Sequence, residues 1–147
     1  MLDETLTNRR DAMGLLGRAK PDAVAALFTI PEPAFTWARA PETGLVMVQG
    51  RMGGEGGPFN LGEMTVTRCV LQLASGVVGH STVQGRDKDH ARRAALIDAL
   101  WQTDAAGIEA AFLIPLRNAE TARRATRAAK AAATRVEFFT LVRGEDQ

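Results

Sequence analysis

The residues best placed to do chemistry crowd into one stretch, GRDKDHARRAALIDAL, Gly85 to Leu100. Arg86, Lys88 and His90 stand at the start of a helix. The first amides there lack intrahelical acceptors and the macrodipole favours negative charge, so a phosphate can be held. Asp87 falls at the N-cap or in the first turn and competes for the same amides. At about 100° per residue, His90 and Arg93 share a side with Ala94, Ile97, Leu100 and Trp101. Lys88, Arg92, Ala95, Ala99 and Gln102 take the other side. Three roles are open to this stretch: an anion site, a docking element for a partner, or a capped helix with a solvated first turn and a hydrogen-bonded His90.

A second candidate is the glycine-rich run RMGGEGGPFNLG, Arg51 to Gly62. It is not a P-loop, because no Gly-Lys-Ser/Thr follows, and not a dinucleotide fingerprint, because a strand comes next. Gly53 and Gly54 still permit positive φ and close backbone approach to a ligand or another chain. Arg51 and Arg68 flank the run and would be neighbours only if their strands pair. The last helix carries Arg123, Arg127 and Lys130 as a basic stripe with Arg124 beside it. No aromatic platform interleaves with it, so nucleic acid is not the expected partner. Its alanine-rich remainder offers little apolar area and calls for a neighbouring chain.

Catalytic constellations are thin. His80 and His90 are the only histidines, no nucleophile motif frames Ser75 or Ser81, and Cys69 lies in an apolar strand where a structural thiol is expected. No cysteine–histidine cluster has metal-site spacing, and neither metal nor cofactor is expected.

The elements that must position these residues read as follows. Ala12, Leu15, Leu16 and Ala19 recur at helical steps, with Thr7 as a possible cap. Pro21 and Asp22 open a second helix bearing Val24, Leu27 and Phe28. TIPEP breaks it. Residues 34–52 read as a β-hairpin, AFTWARA and LVMVQGRM, joined by a type I turn at PETG. EMTVTRCVLQLA is a longer strand with apolar residues on both faces, as a central strand or a bulge near Arg68 would have. SG then turns into the partner strand VVGHSTVQ. Helix resumes at Asp87 and runs to Ala106, and FLIPL connects to a last helix from Asn118 to Ala133. The tail TRVEFFTLVRGEDQ suits either a strand or a docked irregular segment. The expected fold is α+β: a four-stranded, mainly antiparallel sheet flanked by N-terminal and C-terminal helices.

The chain has 147 residues, 46% of them hydrophobic, which suits one domain spanning 1–147. Eighteen basic and seventeen acidic residues nearly cancel, so bulk charge favours neither a nucleic-acid nor a membrane-surface partner. No apolar run reaches the roughly 20 residues that span a bilayer. With one cysteine and no signal-peptide pattern at the start, a cytoplasmic location is expected.

ETGLVMVQGRMGGEGGPFNLGEMTVTRCVLQL, followed by GRDKDHARRAALIDAL and the ending RVEFFTLVRG, resembles the PhnG family of the bacterial carbon–phosphorus lyase system. The resemblance spans nearly the whole chain. It implies a subunit that joins PhnH-, PhnI- and PhnJ-like chains in a core complex. With PhnH-, PhnI- and PhnL-like partners, such a subunit supports attack of an alkylphosphonate on the ribose C1′ of ATP. Adenine leaves, giving ribose 1-alkylphosphonate 5-triphosphate. The family assigns the catalytic role to the PhnI-like chain and later radical cleavage to the PhnJ-like chain, and it carries no catalytic residue onto this one. Arg51, Gly53, Gly54, Arg68, Arg86, Asp87, Lys88, His90, Arg93 and Arg143 are the candidates for contact with a partner or an anion. The alternative is an independent nucleotide- or phosphate-binding domain built on Arg86, Lys88 and the glycine run.

Overall fold

A computed structural model describes residues 2–136. Helices α1 (Leu2–Arg18) and α2 (Pro21–Leu27) precede strands β1 (Phe35–Arg51), β2 (Pro58–Leu73) and β3 (Val78–Gln84). Helices α3 (Lys88–Trp101), α4 (Ala105–Ile108) and α5 (Ile114–Ala133) follow, with a π-helical turn at Glu109–Leu113 between the last two. The sheet is an antiparallel meander in the order β1-β2-β3. The α+β class with flanking helices holds, but among the described residues the sheet has three strands and not four.

The missing strand follows from how Pro41 is absorbed. The expected turn at Pro41–Gly44 does not form, and β1 runs through it as a single strand. Ala40 and Pro41 together stand opposite Cys69, and Ala38 is a further extra residue between the pairs Trp37–Leu71 and Arg39–Val70. Bulges take up residues that cannot join the ladder, and an edge strand tolerates proline because its outer N–H groups have no strand to meet. The glycine-rich connection is accordingly shorter than expected. The chain reverses over 52–57, and Pro58 is already paired with Arg51.

Helix α3 is the hub. It packs on β2 and β3 and touches α1, α2 and α4. Buried residues run almost all round it: His90, Ala91, Ala94, Ala95, Leu96, Ile97, Asp98 and Ala99. Ala95 and Ala99, read from hydropathy as part of the polar side, face the sheet. A Cβ at Gly79 of β3 would lie 2.1 Å from the Ala95 carbonyl oxygen and 2.8 Å from the Ala99 Cβ. Small residues on both surfaces let helix and strand approach this closely. Leu15, Leu16, Val24, Leu71, Val83, Leu96, Ile97, Phe112 and Leu113 fill the space between α3, the sheet and the other helices, and Phe28 packs on Phe112 at 5.8 Å between ring centres.

Helix boundaries also differ from expectation. Helix α1 begins at Leu2, which puts Thr7 inside it. Helix α3 stops at Trp101, and Asp104 caps α4 by accepting from the Gly107 N–H at 2.9 Å. FLIPL is helical rather than a connection. Pro115 falls in the first turn of α5, directly after the widened π turn, inside a run that is helical from Ala105 to Ala133. The tail 137–147, and Arg143 with it, lies outside the described residues.

Candidate functional site

The helix start at Gly85–Lys88 is closed by its own chain. The Asp87 carboxylate accepts from the His90 N–H at 2.8 Å, so the capping reading of Asp87 is what forms. Gly85, at φ +93°, donates to the Thr65 carbonyl at 3.0 Å, and its own carbonyl accepts from the Thr67 hydroxyl at 2.8 Å. These bonds fasten the turn to β2. Arg86 and Lys88 stay exposed beside it, while Arg93 is half-buried.

His90 is a core residue. Its ring is fully buried, and Nε2–H donates to the Leu16 carbonyl at 2.9 Å, which ties α3 to α1. Burial pushes the imidazole below the ordinary histidine range, against the opposing effects of the Leu16 bond and of Asp87. Nδ1 is buried without a hydrogen-bond partner. A neutral ring enclosed in this way presents nothing to a ligand at the surface.

Two more polar groups in the core are structural, and sequence reasoning passed over one of them. Asp98 takes a two-point hydrogen bond from Arg9 of α1, at 2.9 and 2.8 Å, and a third from the His80 backbone N–H at 2.9 Å. The bond to Asp98 raises the Arg9 pKa above its usual value. The signal was an aspartate inside the apolar run AALIDALW. Cys69 lies 3.3 Å from the Ser81 hydroxyl, which itself donates to the Ala91 carbonyl at 2.7 Å. The thiol is therefore the donor to Ser81, and burial raises its pKa, as fits a structural cysteine. Among the described residues, no three of His, Cys, Asp and Glu come together to hold a metal ion.

The glycine run and the helix start do not converge. Their strands do pair, but the register sets Arg51 opposite Pro58 and Arg68 opposite Glu42. Nine residues of strand, about 30 Å at the usual rise, separate the two arginines along β1. The Arg68 Nε is 3.4 Å from a Glu42 carboxylate oxygen, an ion pair without hydrogen-bond alignment. Gly53 and Gly54, at φ +62° and +84°, form the reversal at the tip, where a Cβ on either would meet open space. Arg51 donates to the Gly56 carbonyl and braces that tip. One phosphate cannot be held by the glycine run and by Arg86 and Lys88 together.

What does stand out is the ribbon that ends in this tip. Strand β3 pairs with β2 only over Val66–Gln72, so among the described residues the β1–β2 pair has no third strand from Leu45–Thr65 out to Arg51–Pro58. That is an arm of roughly 20–25 Å. Leu45 is 58% exposed, Met47 55%, Met52 75% and Leu61 66%. Leu45 and Met47 share one face of the ribbon and Leu61 lies by Gly50 on the other. A two-stranded ribbon is marginal in water on its own, and exposed apolar side chains are a common feature of surfaces that other chains cover. The two sheet edges differ as well. On β3, the His80 N–H is taken by Asp98, and α1 lies against the backbone so closely that a Cβ at Gly17 would sit 2.5 Å from the Thr82 oxygen. On β1, no strand pairs with the outer edge among the described residues.

Residues 7–144 match the family described as "Phosphonate metabolism protein PhnG". The chain is also similar to the alpha-D-ribose 1-methylphosphonate 5-triphosphate synthase subunit PhnG of Rhizobium meliloti (strain 1021). The two are 45% identical, over 98% of this chain and 94% of the relative. With the match covering nearly its full length, this chain belongs to the PhnG family.

Proposed function

We propose that this chain is an assembly subunit of a synthase that forms ribose 1-alkylphosphonate 5-triphosphate from ATP and an alkylphosphonate, with adenine displaced. Its main contact is a PhnI-like catalytic chain, within a complex that also holds PhnH- and PhnJ-like chains and, for the synthase step, a PhnL-like one. The observation that carries the reading is the β1–β2 arm, with its open edge and exposed Leu45, Met47, Met52 and Leu61. A partner laid along β1 would supply the missing backbone bonds, as in strand addition, and would cover these side chains. Full burial of one such side chain is worth about 1.5–3 kcal/mol. Arg51 at the tip, Arg68 at the root, and Arg86 and Lys88 on the turn fastened to that root form a polar rim. Polar residues around an apolar centre are the usual anatomy of an interface.

The buried histidine, cysteine and carboxylate of the body each make internal hydrogen bonds, which leaves the arm as the surface this reading uses. Co-expression with PhnI-, PhnH- and PhnJ-like chains and purification through a tag on this one tests it. Stoichiometric recovery of the PhnI-like chain is expected, together with its loss when Met47→Asp and Leu61→Asp are combined. Undiminished recovery with that double variant would remove the arm from the interface, and recovery of the chain alone would refute the subunit reading.

A further inference from the structure

Among the described residues, helix α5 carries a second unpartnered surface with a different chemistry. Of its twenty residues only Leu116 is buried, and its first half is held to α1 by Arg18, which reaches both oxygens of Glu120 at 3.1 and 3.4 Å. Beyond Arg123 every described residue through position 136 is exposed. This free half bears Arg123, Arg124, Arg127 and Lys130, Arg135 follows just past its end, and no acidic residue lies between Glu120 and Arg135. The whole chain is only +1, so the rest of it is net negative and the positive charge is concentrated here.

A helix adapted to water alone usually interleaves opposite charges at i, i+4, whereas like charges at that spacing cost a few tenths of a kcal/mol per pair. Arg123 and Arg127 are such a like pair, and only Arg124 reaches back to Glu120, at 3.1 Å. The macrodipole accounts for Lys130 in the last turn but not for the arginines a turn or more earlier. Alanines between the cations keep the segment helical, so little order is lost on docking, and they let another backbone come close.

We propose that the free half of α5 docks in a carboxylate-rich groove on a partner subunit of the synthase; this rests on the subunit reading above. Charge excludes a second copy of the same helix as the occupant. Arg123, Arg127 and Lys130 lie along one side of the helix over about 10 Å, a linear stripe that matches a row of carboxylates better than a single phosphate. Between Ile114 and Val136 there is no aromatic side chain to stack a base. Four of the five cations are arginines, whose planar fork suits paired hydrogen bonds to carboxylates.

The test is the same tagged co-purification of the full chain, with Arg123→Glu, Arg127→Glu and Lys130→Glu combined, and the corresponding triple glutamine variant beside it. Arg127 and Lys130 are exposed and Arg123 is partly covered where it borders α1, so circular dichroism should stay at wild type and the melting curve should move little. Association is expected to weaken by about tenfold or more with glutamate, less with glutamine, and to fall with added salt in the wild type only. Wild-type assembly that neither variant weakens would overturn the proposal and leave the subunit reading standing. Failure of the wild type to assemble would end both. Association that nuclease abolishes would assign the stripe to nucleic acid and overturn the proposal too.

Discussion

The two edges of the sheet are treated in opposite ways. Strand β3 is closed by its own chain: Asp98 takes the outward His80 N–H, and α1 presses against the Thr82 carbonyl through Gly17. Strand β1, seventeen residues long, meets no strand on its outer edge among the described residues and extends into an arm with exposed apolar side chains. Natural sheets blunt long open edges because such edges recruit other strands. On the subunit reading proposed above, the edge left bare is the one a partner would join. In that reading the guarded edge serves folding and the bare one serves assembly.

The contrast can be attacked first on the guarded side, where effects on stability are largest. Asp98→Ala removes three hydrogen bonds and strands Arg9, and should cost roughly 2–4 kcal/mol of unfolding free energy in urea, somewhat less than a fully buried pair because Arg9 still meets water. A loss under about 0.5 kcal/mol would show that the closure of β3 is not structural. Gly79→Ala drives a methyl into the Ala95 carbonyl and should cost about 1–3 kcal/mol, read from the shift in melting temperature.

A smaller effect comes from pH. His90 is neutral when folded, with its pKa depressed below the ordinary 6.5 by burial, whereas an unfolded chain takes up the proton near that value. The stability it contributes is complete above the unfolded pKa and is lost as pH falls from there towards the folded one. Denaturation midpoints should therefore drop below pH 6.5, and His90→Gln should flatten that slope. An unchanged slope would rule His90 out as its source. The smallest effect on the isolated chain belongs to the arm. Met47→Ser or Leu61→Ser should shift its stability by no more than about 0.5 kcal/mol, while weakening its association with partners.

Much of this was legible from the residues. Helical spacing located α1 and α2, the SG turn located the β2–β3 hairpin, and Asp87 announced the start of α3. The failures share a cause: local signals whose outcome is decided by distant partners. Pro41 and Gly44 have the chemistry of a turn, but the long neighbour β2 draws both halves into one strand. Ala95 and Ala99 carry little hydropathy, so only the facing Gly79 reveals that they meet the sheet. His90 has the profile of a site histidine until the Leu16 carbonyl is seen against it. The arm was half visible, in Arg51, Gly53 and Gly54 at its tip. Its apolar stretch remained hidden because Leu45, Met47 and Leu61 look like core residues in any strand.

The most direct test of the account is hydrogen exchange of the backbone amides, on the chain alone and on the chain co-purified with its PhnI-like partner. In the isolated chain, amides of α3 and β3 should be protected while those of residues 45–51 and 58–65 exchange fast. In the complex the arm should become protected and α3 should stay as it was. An arm that exchanges as quickly in the complex as alone would contradict the claim that the bare edge exists to be covered.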